Sequence, residues 1–177
     1  MRFATVDGTY SYIDSSTLTR VYGVGEEVNL LFGYEFFNKK GDASLLLMLG
    51  GDVQQNRVNA FDPQNPVQGT EFGYKGFLEF DSNPTTKTML RGEATYSTEF
   101  KSHYSQFEAG YAFFAPEIYL GPSVSALDDE HYSQVRFGGS INGLKFGKVE
   151  VGFYGGYLHD RDQGNGVFAG VSTSLRF

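Results

Sequence analysis

Val167-Phe168-Ala169-Gly170-Val171-Ser172-Thr173-Ser174-Leu175-Arg176-Phe177 ends the chain and alternates side chains along its whole length. In an extended strand Val167, Ala169, Val171, Thr173, Leu175 and Phe177 share one face, and Phe168, Gly170, Ser172, Ser174 and Arg176 share the other. One face suits lipid and the other suits water. A half-buried strand of a soluble sheet shows the same period, so the rest of the chain must discriminate.

It does so by repetition. Strand-like alternation recurs in about ten segments: 3–13, 27–37, 43–54, 69–80, 87–100, 104–115, 117–126, 132–144, 148–159 and 167–177. In the second, Val28, Leu30, Phe32, Tyr34 and Phe36 oppose Glu27, Asn29 and Glu35; in the fifth, Leu90, Ala94, Tyr96 and Phe100 oppose Arg91, Glu93, Thr95 and Ser97. Leu46 and Met48 blur the inward face of the third, and Pro122 predicts a bulge or an irregularity in the seventh, because proline cannot donate to the ladder. Short connectors (38–42, 81–85, 115–116, 143–147) are expected to alternate with longer ones (14–26, 55–68, 101–103, 127–131, 160–166), as in barrels with periplasmic turns and extracellular loops.

Composition agrees. Aromatics make up 16% of the 177 residues, with 23 Gly, which favours extended chain and tight turns. The longest apolar run, Leu45-Leu-Leu-Met-Leu49, falls far short of the roughly 20 residues a membrane helix needs. A net charge of −7 disfavours nucleic acid as a partner, and with no Cys there is neither a disulfide nor a thiolate metal site. Met1 leads straight into alternating Arg2-Phe-Ala-Thr-Val6 rather than a secretory leader, which fits a mature sequence with a start Met, a cytosolic chain or an engineered one.

The polar face carries Asp7, Glu35, Glu71, Lys75, Glu79, Arg91, Glu93, Glu108, Glu117, Arg136, Glu150 and Arg176. So many charges do not fit a dry core, where each unpaired ion costs several kcal/mol. The expected fold is therefore all-β: a single-domain, transmembrane, antiparallel up-and-down β-barrel of about ten strands, with the charged face lining a lumen and the apolar face meeting lipid. Tyr34, Tyr74, Tyr96, Tyr111, Tyr157 and Phe177 are the candidates for interfacial aromatic girdles. A soluble β-barrel or sandwich is the alternative.

Within the lumen, Glu71, Glu93, Glu108, Glu117 and Glu150 are expected to form a charge network with Lys75, Arg91, Arg136 and Arg176 rather than catalytic pairs. Such a network either plugs a narrow barrel or leaves a thin path biased toward cations. His103, His131 and His159 fall near the outer loop ends, beside Asp128-Asp-Glu-His131 and His159-Asp-Arg-Asp162. Metal binding or rim hydrolysis would need them to converge, but no nucleophile, base and orienter are spaced for it. No catalytic residue, metal or cofactor is expected. Leu175 and Phe177 are expected to form the C-terminal signal read by the outer-membrane barrel assembly machinery.

Gly50-Gly-Asp-Val-Gln-Gln-Asn-Arg57, Asp62-Pro-Gln-Asn-Pro-Val-Gln-Gly69, Ala94-Thr-Tyr-Ser-Thr98, Tyr119-Leu-Gly-Pro122, Leu127-Asp-Asp129 and Tyr132-Ser-Gln-Val-Arg-Phe-Gly138 follow one another in an order that resembles the bacterial cellulose biosynthesis protein BcsS family, over residues 43–177. The resemblance implies a bacterial outer-membrane barrel without an established enzymatic activity, and the expected role is a non-enzymatic accessory, scaffold or narrow pore in cellulose secretion or the cell envelope. Its implied partners are outer-membrane lipid or lipopolysaccharide and exopolysaccharide or secretion components. An outer-membrane enzyme with a site at the extracellular rim, or a soluble ligand-binding β-barrel, is the functional alternative.

Overall fold

The computed structural model describes residues 2–13, 20–58, 69–129, 132–147, 149–161 and 164–175. They form one ten-stranded antiparallel sheet in which every strand pairs with its neighbours in sequence: β1 (Arg2–Ile13), β2 (Arg20–Phe37), β3 (Ala43–Val58), β4 (Gly69–Thr85), β5 (Thr88–Ser97), β6 (His103–Tyr111), β7 (Tyr119–Asp128), β8 (Ser133–Phe146), β9 (Val149–Asp160) and β10 (Gly164–Leu175). This is an up-and-down meander.

The sheet is strongly staggered. Following register partners from Arg2 at the start of β1 leads through Leu31, Gly50 and Lys75 to Ser97, the last residue of β5. A row that climbs in this way means that the strands run oblique to it, the geometry with which a sheet curls. Side chains two strands apart meet on the concave face: Lys75 of β4 with Glu27 of β2, Ser97 of β5 with Asp52 of β3, and Asn142 of β8 with Glu108 of β6. Arg91 of β5 also interacts electrostatically with Glu150 of β9, four strands away. In a flat sheet those backbones would stand about 19 Å apart.

Burial is inverted relative to a water-soluble domain. Among the described residues, Asn29, Asp52, Ser97, Glu108, Gln134, Ser140, Asn142 and Asp160 are buried, whereas Phe32, Tyr34, Leu49, Phe72, Phe137, Tyr157, Val167 and Val171 are exposed, and Tyr74 is 78% exposed. The small apolar cluster of Leu31, Met48 and Phe77, with Leu46 against it, sits on the concave side. Leu46 and Met48 blur the alternation of β3 because their partners are inside.

Several connectors differ from expectation. β2 begins at Arg20 and β4 runs to Thr85, so strand replaces part of the anticipated connector 14–26 and all of 81–85, while the connection 112–118 is longer than 98–102 on the opposite end. The expected segregation of short from long connectors is therefore blurred. Pro122 causes no bulge against β8, where it pairs with Gly139 in continuous register. On the β6 side the register skips from Glu108↔Ser123 to Tyr111↔Leu120, and the missing donor is accommodated there. Register shifts lie instead in β4, between Ser82↔Leu90 and Thr85↔Thr88, and in β8, where Asn142 and Gly143 (φ 86°) stand between the pairs Ile141↔Phe153 and Leu144↔Val151. Asp7 and Glu26 are register partners on β1 and β2.

Candidate functional site

The concave face is the candidate site, and period-2 alternation is what assembles it. Each β-strand delivers every second residue to the interior, and register aligns those residues across the sheet. Lys75 is held by Glu27, which also accepts from Asn29 Nδ2 at 2.6 Å. Arg91 Nε donates to Asp81 Oδ1 at 2.9 Å and interacts electrostatically with Glu108 and Glu150. Glu108, buried, accepts from Gln106 Nε2 at 2.8 Å and from Asn142 Nδ2 at 3.1 Å. Arg136 donates to Gln134 Oε1 and lies 5.6 Å from the centroid of the Phe168 ring, a cation–π arrangement.

Of the remaining residues expected in this network, Glu93 pairs in register with Glu79 at mid-sheet, and Glu71, exposed, pairs with Gln54. Glu117 stands outside the strands, in the connection 112–118, where its carboxylate is exposed and 2.6 Å from Lys145 Nζ. Arg176 and Phe177 lie outside the described residues, and Leu175 closes β10 opposite Val149. The expected set omitted four groups that the concave face uses: Glu27, Asp52, Asp81 and Glu99. Glu27 and Asp52 were visible on polar faces. Asp81 sat in what reads as a turn, and Glu99 lies past the end of β5.

A second cluster forms where β5 leaves the sheet. Ser97 Oγ donates to Asp52 Oδ2 at 2.8 Å, and the Glu99 backbone N–H donates to Ser97 Oγ at 3.0 Å. Thr98 Oγ1 accepts from the Tyr74 N–H at 3.0 Å. These bonds fold the short 3-10 turn Glu99–Lys101 against β3 and β4, leaving Phe100 and Lys101 at positive φ (50° and 46°), which is costly for residues with a Cβ.

The rim histidines do not converge. His103 Nδ1 lies 3.8 Å from Asp128 Oδ2, and His159 Nδ1 lies 2.9 Å from Asn165 Oδ1; His131 and Asp162 fall outside the described residues. Among the described residues no three or more His, Cys, Asp or Glu side chains converge to hold a metal. At the same rim, Tyr132 hydrogen-bonds to Asp160 and accepts from Gln134 Nε2 at 2.6 Å. Burial and then this contact with Asp160 hold its phenol well above the ordinary tyrosine range.

The inner face thus concentrates acids over bases in a hydrogen-bonded array, backed by an apolar outer surface. The family model for cellulose biosynthesis protein BcsS matches residues 1–177, the whole chain, extending the resemblance seen over 43–177 to the first two strands. No curated protein and no solved structure matches.

Proposed function

The chain belongs to the cellulose biosynthesis protein BcsS family, and from that premise we propose that its sheet closes into a narrow transmembrane β-barrel of the bacterial outer membrane, a non-enzymatic accessory, scaffold or thin pore in cellulose secretion. The observation that carries this reading is the inverted burial. Large apolar side chains populate the convex face of β2 to β10 while acids, amides and hydroxyls are buried on the concave face. Soluble monomers rarely expose contiguous apolar patches beyond a few hundred Å2. A lipid environment makes the same surface favourable, and closure of the sheet satisfies the backbone edges of β1 and β10.

On this reading outer-membrane lipid or lipopolysaccharide surrounds the belt, and Tyr34, Tyr74 and Tyr157, all exposed, contribute to the interfacial girdles. The barrel assembly machinery reads Leu175 and Phe177 at the closing strand, and exopolysaccharide or secretion components engage the barrel ends. Large inward side chains such as Phe77, Arg91, Arg136, Tyr154 and Phe168 leave at most a thin water path, biased toward cations by the surrounding acids.

Folding the chain into detergent or liposomes tests the reading. Detergent dependence and an unboiled gel band that migrates differently from the boiled one support it, whereas a monodisperse folded protein in detergent-free buffer overturns it. Planar-bilayer recording then separates a pore, which gives cation-selective current, from a scaffold, which gives none.

A further inference from the structure

The residues Asn29, Asp52 and Gly73 form one straight row across β2, β3 and β4, being register partners in turn. Directly opposed side chains on one face of a sheet stand about 5 Å apart. The third place has no side chain of its own, and the Glu99 carboxylate fills it: Oε1 lies 1.6 Å from where a Cβ on Gly73 would stand. Three oxygen-bearing groups are therefore neighbours on the concave wall. Asp52 is 3% exposed, Asn29 4% and Glu99 7%.

The oxygens of this row are not all used. Asp52 Oδ2 accepts from Ser97 Oγ and from Gln54 Nε2 at 2.9 Å, while Asp52 Oδ1 and Asn29 Oδ1 are buried and have no hydrogen-bond partner. Turning the Asn29 amide over does not help. Its Nδ2 donates to Glu27 Oε1, and the flip would set oxygen against that carboxylate. The Lys75 ammonium is engaged by Glu27. A water could donate to both orphan oxygens, but it would leave the negative charges of Asp52 and Glu99 side by side and buried. A cation answers both needs.

We propose that Asp52 Oδ1, Asn29 Oδ1 and the Glu99 carboxylate bind a calcium ion. The donors are all hard oxygens, without the sulfur or imidazole that softer metals favour. Calcium accepts amide carbonyls, carboxylates and water in loose geometry, whereas magnesium demands a near-ideal octahedron and holds its waters. Among the described residues no third acid joins the row, so the amide and water complete the coordination. The ion fastens Glu99, and with it the turn bearing Phe100 and Lys101 at positive φ, to the wall formed by β2 and β3. All the donors lie on β2 to β5 and the turn after β5, so the site does not depend on how β1 meets β10.

The test is calorimetric titration of the full chain, folded in detergent and stripped with chelator, with calcium chloride at constant ionic strength, alongside thermal unfolding. Expected are one calcium per chain, a dissociation constant of about 10⁻⁴–10⁻³ M as for weak extracellular sites, and a raised unfolding midpoint. Asp52→Asn and Glu99→Gln each weaken binding at least about tenfold, while Glu26→Gln, on the outer face, binds as the parent does. Asn29→Leu removes an orphan oxygen without introducing charge, and its loss of binding stands in should Asp52→Asn fail to fold. The proposal is overturned by a parent protein indifferent to calcium, by Asn29→Leu and Glu99→Gln binding undiminished, or by magnesium reproducing the response at equal concentration.

Discussion

Arg91 Nε lies 2.9 Å from Asp81 Oδ1, and the two residues are direct register partners on β5 and β4. Their side chains are 41% and 33% exposed, so solvent screens the pair and its coupling is expected near the surface-pair range, about 0.5–1 kcal/mol. Arg91 also faces Glu108 and Glu150, which lose a counter-charge when it is removed. Arg91→Ala should therefore destabilise more than Asp81→Ala. A double-mutant cycle followed by urea unfolding in detergent measures both quantities, and the reverse order would contradict the cross-sheet role of Arg91.

Glycines on the concave face differ in what a methyl group would strike. A Cβ at Gly138 meets the Gly155 carbonyl oxygen at 2.2 Å, a backbone atom that moves only with its strand. One at Gly170 meets the far end of the Tyr154 ring, with Cζ at 2.3 Å. Gly138→Ala is expected toward the upper end of about 1–3 kcal/mol and Gly170→Ala toward the lower, because a ring can swing where a ladder cannot. Comparison of unfolding midpoints in urea decides; equal costs would mean that the β8–β9 ladder yields as easily as a side chain.

The exposed apolar face yields a depth-dependent prediction. Leu49 pairs with Phe32 and Gly76 at mid-sheet, whereas Val24 lies near the start of β2. In a bilayer Leu49→Arg should cost about 2–4 kcal/mol and Val24→Arg about 0–1 kcal/mol. Folding into liposomes reports the difference. Equal and small costs at both positions would argue that no lipid covers this face.

Tyr132 gives a pH signature. Its folded phenol titrates above its unfolded value of about 10, so the stabilisation it contributes is present in full below that pH and is lost as pH rises through the folded value. Above about pH 10 the parent should lose stability more steeply than Tyr132→Phe, which has no phenol to ionise. Unfolding curves collected between neutral and strongly alkaline pH check this; parallel slopes would place Tyr132 in ordinary solvent.

Much of the fold is legible from alternation because the environment of each face is uniform along the strands. Val135, Phe137 and Ile141 against Gln134, Arg136 and Ser140 report the two faces of β8 directly. The site is less legible because its contacts depend on curl rather than spacing. Lys75 finds Glu27 forty-eight positions away, two strands over, and no local pattern encodes that meeting. Asp81 hides in Asp-Ser-Asn-Pro-Thr, a string of turn formers that nonetheless stays in register with β5 through Ser82 and pairs again, one residue out of step, at Thr85. Glu99 hides because it reaches the wall through a gap left by Gly73, and an absent side chain leaves no pattern of its own.

The extra residue in β8 has a consequence for how that strand is read. Up to Ile141 the odd positions face outward, but beyond the Asn142 and Gly143 insertion Leu144 and Phe146 pair with Val151 and Val149 of the outward row, and Lys145 pairs with inward Glu150. β8 is thus written in two reading frames. A chain that lost Gly143 would read in a single frame, with Leu144 and Phe146 still outside and Lys145 still inside, whereas the intact chain paired without the bulge would turn Lys145 to the outside and draw Phe146 in.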